Sequence, residues 1–131
     1  LKPGSDLRRD LERNVTQRGL KAAGVVSAAG SPTRAPIRYA GESAPATIEG
    51  SFEIVSLSGT FSLDGAHVHI SMADSNGIAI CGHLVSGSIV HTTTEVVIGA
   101  LKGISFRREA VGSTGYRELV IGGVEGKSRE V

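Results

Sequence analysis

The sequence predicts an α+β fold: one N-terminal α-helix followed by seven or eight strands in a mainly antiparallel β-sheet. Three observations carry this expectation. Apolar residues recur every four positions in the first twenty residues and then at alternate positions. The later segments are short and bounded by Gly, Asp or Asn. Most links between them are short enough for hairpins, which favours antiparallel pairing. At 131 residues the chain suffices for one ordinary domain with a core and is short for two. No repeat or linker divides it, so residues 1–121 read as a single domain. "GGVEGKSREV" (122–131) has no pattern and reads as a polar C-terminal tail.

The helix is "KPGSDLRRDLERNVTQRGLK". Ser5 or Asp6 can cap it, Leu7, Leu11 and Val15 form one narrow apolar stripe, and Gly19 supplies a left-handed stop. Arg8, Arg9, Arg13 and Arg18 fall on the remaining faces among Asp10 and Glu12. They read as a solvated face with mixed ion pairs, the rival reading being a basic strip for phosphates. "AAGVVSAAGS" then suits a closely packed strand, and "APIRYA", behind Pro32 and Pro36, a short edge strand. "TIEGSFEIVSLSGTFSL" alternates, with Phe52, Ile54 and Ser56 facing one way and Val55 and Leu57 the other. "AHVHISMAD", "GIAICGHLVSG", "TEVVIGAL", "ISFRREA" and "YRELVI" complete the strands. A sheet covered by one helix leaves apolar area and strand edges unpaired, so a homo-oligomer is expected.

Composition narrows the function. Two Tyr, three Phe and no Trp supply no aromatic platform for single-stranded nucleic acid, and a formal charge of +1 is too small to announce a phosphate-binding protein. The single cysteine, Cys81, excludes an intramolecular disulfide and fits a reducing cytoplasm. No apolar run has membrane-spanning length and no leader pattern opens the chain, so no membrane partner is expected. The first residue is Leu1 rather than methionine, which leaves room for an upstream segment outside this sequence.

The stretch "AHVHISMADSNGIAICGHL" (66–84) carries the chemistry. In a strand, side chains two apart share a face, so His67 and His69 point the same way. If Ser75-Asn76-Gly77 forms a three-residue loop with Gly77 at positive φ, Asp74 pairs with Ile78 and His69 stands opposite His83. Opposed side chains lie about 4.5–5.5 Å apart, so all three rings then converge. A two-residue Asn76-Gly77 turn would instead send His83 to the other face. Three neutral imidazoles leave one coordination position open, the arrangement of catalytic rather than structural zinc; iron, nickel and copper also accept imidazole.

Other candidates are weaker. Cys81 shares the face of His83 and is a possible fourth ligand, although a lone Cys is more often a small apolar residue. His91 lies in a separate segment and reads as a surface residue. Glu53 and Glu95 are acid/base candidates only if they line the histidine site. "GVEGK" lacks the spacing of a phosphate loop, and "SLSG" shows no nucleophile elbow.

"GSFEIVSLSGTFS" (50–62) resembles the central signature of the plant and prokaryote conserved (PPC) domain, whose plant members read close to G-R-F-E-I-L-S-L-S-G-S-F. "HVHISMAD", "CGH" (81–83), "TTTEVVIGAL" and the opening "LKPGSDLRRDLE" are similar to the prokaryotic, stand-alone branch. The resemblance spans about residues 1–121 and implies one helix on an antiparallel sheet, assembled as a homotrimer. It also implies a histidine metal triad, which maps by motif onto His67, His69 and His83. Plant members add an AT-hook that enters the minor groove of A·T-rich DNA, and prokaryotic members are grouped with DNA-binding proteins by that association. This chain departs in two places. It contains no Arg-Gly-Arg, "QRGLK" (17–21) being the nearest approach, so minor-groove binding has no residue to act through. Cys81 also replaces the first Gly of a "GGH".

The expectation is therefore a cytoplasmic, trimeric PPC-domain protein of the DNA-binding regulatory class with a divalent ion, zinc first, on three histidines. The ion would brace a subunit boundary or present an open position to a small-molecule ligand. Two rivals are a metal-dependent enzyme, in which a bound ion lowers the pKa of its water for hydrolysis or hydration, and an oligomerisation module without chemistry.

Overall fold

The structure is a computed structural model and describes residues 1–123. Helix α1 (Leu7–Gln17) precedes eight strands: β1 (Ala23–Arg38), β2 (Ala46–Glu49), β3 (Glu53–Ser62), β4 (Gly65–Ala73), β5 (Ala79–Leu84), β6 (Ile89–Ala100), β7 (Ile104–Ala110) and β8 (Arg117–Gly123). Every pairing between them is antiparallel. Strands β1–β6 form one sheet in the order β2-β1-β3-β4-β5, with β6 also on β1, and β7–β8 is a separate hairpin. Because β1 pairs with β5 as well as β3, the path β1-β3-β4-β5 returns to β1. Of the stretch expected as a tail, Gly122 and Gly123 belong to β8 and residues 124–131 lie outside the described residues.

Asp6 is the helix cap. Its Oδ1 accepts from Arg9 N at 3.2 Å, and its Oδ2 accepts from Gly87 N at 2.7 Å, on the link between β5 and β6. One carboxylate thus satisfies an orphan helical N–H and ties the helix to the sheet. Leu7, Leu11 and Val15 are buried in the core, and Gly19 takes φ 63° where the helix stops. Asp6→Ala should lower unfolding stability by about 1–2 kcal/mol in urea titration, while Ser5→Ala changes it by less than ~0.5 kcal/mol. Equal effects of the two would contradict the capping role.

Two expectations about strands are corrected. "APIRYA" is not a separate edge strand: residues 23–38 form one continuous 16-residue strand at the middle of the sheet. Its prolines are tolerated because the ladder is interrupted at one of them and short at the other. Pro32 lies between two register shifts against β6, and Pro36 faces the four-residue β2. Their carbonyls still accept, from Phe52 N (3.3 Å) and Val85 N (3.2 Å). The second correction concerns β3. Leu57 faces the core together with Ile54, because a bulge between Ile54 and Ser56 makes Val55 the extra residue and inverts the alternation. Val55 is 63% exposed as a result.

In β4 the alternation is unbroken. Val68, Ile70 and Met72 are buried against α1 and β3, which turns His67, His69 and Ser71 to the opposite face. A one-residue slip would expose all three apolar chains, a loss of ~5 kcal/mol or more. The core therefore fixes the face on which the histidines stand.

Candidate metal centre

The β4–β5 turn decides the site, and its chemistry is local. Asp74 Oδ1 accepts from Asn76 N (2.8 Å) and Ile78 N (2.9 Å), while Asp74 N donates to Ile78 O (3.0 Å). Gly77 N donates to Asp74 O at 2.9 Å and Gly77 adopts φ 77°, a conformation that glycine enters without strain. The loop is the three-residue Ser75-Asn76-Gly77 form, Ala73 pairs with Ala79, and His69 pairs with His83.

The three rings converge. His67 Nε2 and His69 Nε2 lie 3.0 Å apart, and one ligand nitrogen from each of His67, His69 and His83 falls within 4.8 Å of the other two. Ring centroids are separated by 4.9 Å (His67–His69), 5.1 Å (His67–His83) and 4.3 Å (His69–His83). Nitrogens bound tetrahedrally at about 2.0–2.1 Å stand roughly 3.3 Å apart, so small ring rotations suffice to share one ion. His67 and His69 are exposed and His83 is half-buried, which leaves solvent access for an ion and a further ligand.

Helix α1 and the sheet brace this face. Arg8 Nη1 donates to Leu84 O (2.7 Å) and Nη2 to Ala66 O (2.8 Å), next to His83 and His67 respectively. Its partner Glu12 accepts from Arg8 Nε and from Ala66 N, both at 3.2 Å. Glycines let the strands close up. A Cβ at Gly82 would lie 2.5 Å from Ile37 Cγ2 and 2.9 Å from Arg38 O, so the residue before His83 has no room for a side chain.

Burial, with neighbouring positive charge, favours the neutral imidazole at His67 and His83. His67 is held below the ordinary value of 6.5 first by burial, then by His69, Arg108, Arg8 and Arg38. His83 is lowered first by burial, then by Arg38 and the other two histidines, with Arg8 last. Neutral imidazole is the form that ligates metal. In metal-free protein, His67 and His83 should take up protons at lower pH than an unperturbed histidine. The unfolded chain binds those protons first, so their contribution to stability is present above pH 6.5 and lost as pH falls through the lowered folded values. An NMR titration of the ring protons checks this, and midpoints at or above 6.5 for both would contradict it.

The remaining candidates separate. Cys81 lines a cleft with His69 and His83, and its Sγ donates to Ser71 Oγ at 3.1 Å; it is not among the converging nitrogen donors. His91 and Glu53 line a different cleft, and Glu95 is exposed. Arg9 and Arg13 pair with Asp6 and Asp10 on the exposed helix face, as a solvated face would. Sequence reading missed the site's arginines. Arg8 turns inward, and Arg38 reaches the site because it pairs with His83 across β1–β5, a contact no local pattern encodes.

Residues 1–102 match the Plants and Prokaryotes Conserved (PCC) domain. The chain belongs to that family. A solved structure of a hypothetical protein from Salmonella enterica is 39% identical, with a TM-score of 0.91 over 94% of this chain and 89% of that one. A metal-containing protein from Archaeoglobus fulgidus is 30% identical, with a TM-score of 0.78 over 92% and 89%. A protein from Bacteroides thetaiotaomicron with a provisional DNA-binding name is 19% identical, with a TM-score of 0.82 over 92% and 87%, and at that identity it shows the fold alone. Among curated proteins, the bifunctional protein GlmU of a Synechococcus strain is 39% identical over 124 residues, 95% of this chain. The chain spans about a fifth of that relative's length. The β7–β8 hairpin follows the segment matched to the PCC domain.

Proposed function

We propose that this PCC-domain chain is a homotrimeric cytoplasmic protein in which His67, His69 and His83 hold one divalent ion, zinc before others. The convergence of the three nitrogens carries the proposal. The metal content of the Archaeoglobus relative supports it. An ion held by these three imidazoles would supply an open coordination position for a small ligand and would polarise what binds there. The chain's own residues orient the rings, hold His67 and His83 toward the neutral form and leave the site open to solvent. Cys81 is a reserve ligand only if the Ser71 contact is given up.

Assembly is supported by exposed apolar side chains on neighbouring strands, Val26 of β1 (68%) and Val97 of β6 (55%). Elemental analysis of protein prepared without a histidine tag, with its mass from light scattering, tests the proposal. The expected result is one ion per chain and three chains per particle. Metal-free protein that takes up no zinc would remove the site and leave an oligomerisation module.

A second reading, metal-dependent hydrolysis or hydration, is favoured by the clefts that open on either side of the triad. Loss of the ion in His67→Ala and His83→Ala with the trimer intact would favour a ligand-binding or catalytic role over a structural one. The DNA-binding class rests on names carried by relatives. The pairing of Arg9 and Arg13 with acids and the absence of an Arg-Gly-Arg give it little to act through here. Duplex affinity that falls steeply with salt, and falls again when Arg9 and Arg13 become Ala, would restore it.

A further inference from the structure

A cleft of about 570 Å³ adjoins the triad between α1, the end of β1 and the β7–β8 hairpin, a volume typical of small-molecule sites. Four arginines line it: Arg8, Arg38, Arg108 and Arg117, beside His67 and His83. Glu118 is the one carboxylate among the described lining residues, and it accepts from Thr114 Oγ1 at 3.2 Å. Arg8 is occupied by Glu12 and two carbonyls. The other three differ. Among the described residues the guanidinium groups of Arg38, Arg108 and Arg117 meet no carboxylate within 4.0 Å, although the Arg108 backbone N–H donates to Asp64 Oδ2 at 2.9 Å. The guanidinium groups of Arg9, Arg13, Arg34 and Arg107 do meet one elsewhere on the chain.

Their remaining bonds hold them in place without neutralising them. Arg108 Nη2 donates to Thr60 Oγ1 (2.8 Å), Arg117 Nη2 to Arg108 O (2.7 Å) and Arg38 Nη1 to Glu42 O (3.3 Å). Arg108 Nε is buried and has no hydrogen-bond partner among the described residues. A protein of net charge +1 thus places three guanidinium groups that have no carboxylate partner among the described residues around one cleft, an arrangement whose mutual repulsion a bound anion would relieve. The guanidinium fork matches the oxygens of a phosphate or carboxylate.

We propose that this cleft binds a small molecule through a phosphate or carboxylate group held by Arg38, Arg108 and Arg117. Tyr116, 68% exposed, lines the same cleft and offers a ring for the organic remainder. Arg108, Tyr116 and Arg117 all lie beyond the segment matched to the PCC domain, so this half of the cleft is supplied by the hairpin of this chain. The anion site itself does not need the ion. That the ligand's other end meets a metal rests on the proposed triad centre.

Calorimetric titration with inorganic phosphate tests it, on chelator-treated and zinc-loaded protein, with metal content measured in each sample. Saturable binding is expected in the metal-free protein. Arg38→Gln and Arg117→Gln should each weaken it about tenfold or more, Arg38→Lys less, and Arg13→Gln not at all. Arg117→Gln, whose side chain is not among the groups that shift His67 or His83, should load as much zinc as the parent chain. Arginine-dependent phosphate binding by a protein that takes up no zinc would uphold the anion site while the metal centre fails. No saturable binding up to about 10 mM, or binding indifferent to Arg38 and Arg117, overturns it. So does binding that requires zinc and ignores the arginines, because the phosphate would then be on the ion.

Discussion

His83→Ala should weaken zinc binding by at least about 100-fold, read by competition with a chromophoric chelator, while the thermal unfolding midpoint of the metal-free protein stays close to that of the parent. The magnitude follows from what is removed. Loss of groups that merely orient a ligand already costs about 10–100-fold in metal affinity, so loss of one of three ligands costs more. The fold should survive because the imidazole contributes nothing to the core. His83 is half-buried on the outer face, while Leu84, 0% exposed, anchors β5 inside and the backbone pairing with His69 remains. His67→Ala and His69→Ala should behave alike, since the three nitrogens are equivalent members of one cluster. Undiminished affinity in His83→Ala would place the ion elsewhere.

Gly59→Ala should have the largest effect on stability, about 3 kcal/mol or more in urea titration. Gly59 pairs with Val68 across β3–β4, next to His67. A Cβ there would lie 2.2 Å from His67 O and 2.7 Å from Val68 Cα, and its φ of 155° disfavours a side chain. Both obstructing atoms are backbone, so relief requires the two strands to part where the triad begins. Zinc affinity should therefore fall together with stability. Gly112→Ala is the control: among the described residues nothing lies within 4 Å of its Cβ position, and the change should stay within ~0.5 kcal/mol of the parent. A Gly59→Ala protein equally close to the parent would contradict the steric argument.

These two positions also show what could be read from the sequence. The triad was legible because its determinants are short-range. Strand alternation sets the face of His67 and His69, and Asp74 with Gly77 sets the register that returns His83. The helix was legible for the same reason, through Asp6, the Leu7-Leu11-Val15 stripe and Gly19. What could not be read depends on pairings between distant segments. The continuity of β1 through Pro32 and Pro36 requires β6 to break register and β2 to be short. The inward turn of Leu57 requires a bulge at Val55 that alternation alone does not announce. Arg38 joins the site only because the sheet path closes on β1, and Arg108 and Arg117 only because the β7–β8 hairpin folds beside it. "GSFEIVSLSGTFS" marked the family, and Gly59 within it proves to be where two backbones touch.

X-ray absorption at the zinc edge of the loaded protein tests the proposed three-histidine ion site most directly. Three nitrogen scatterers at about 2.0–2.1 Å with the outer-shell pattern of imidazole, and no sulfur, are expected. Fewer than three imidazoles would show that His67, His69 and His83 do not hold the ion together, whereas a sulfur shell at about 2.3 Å beside three imidazoles would add Cys81 as the fourth ligand.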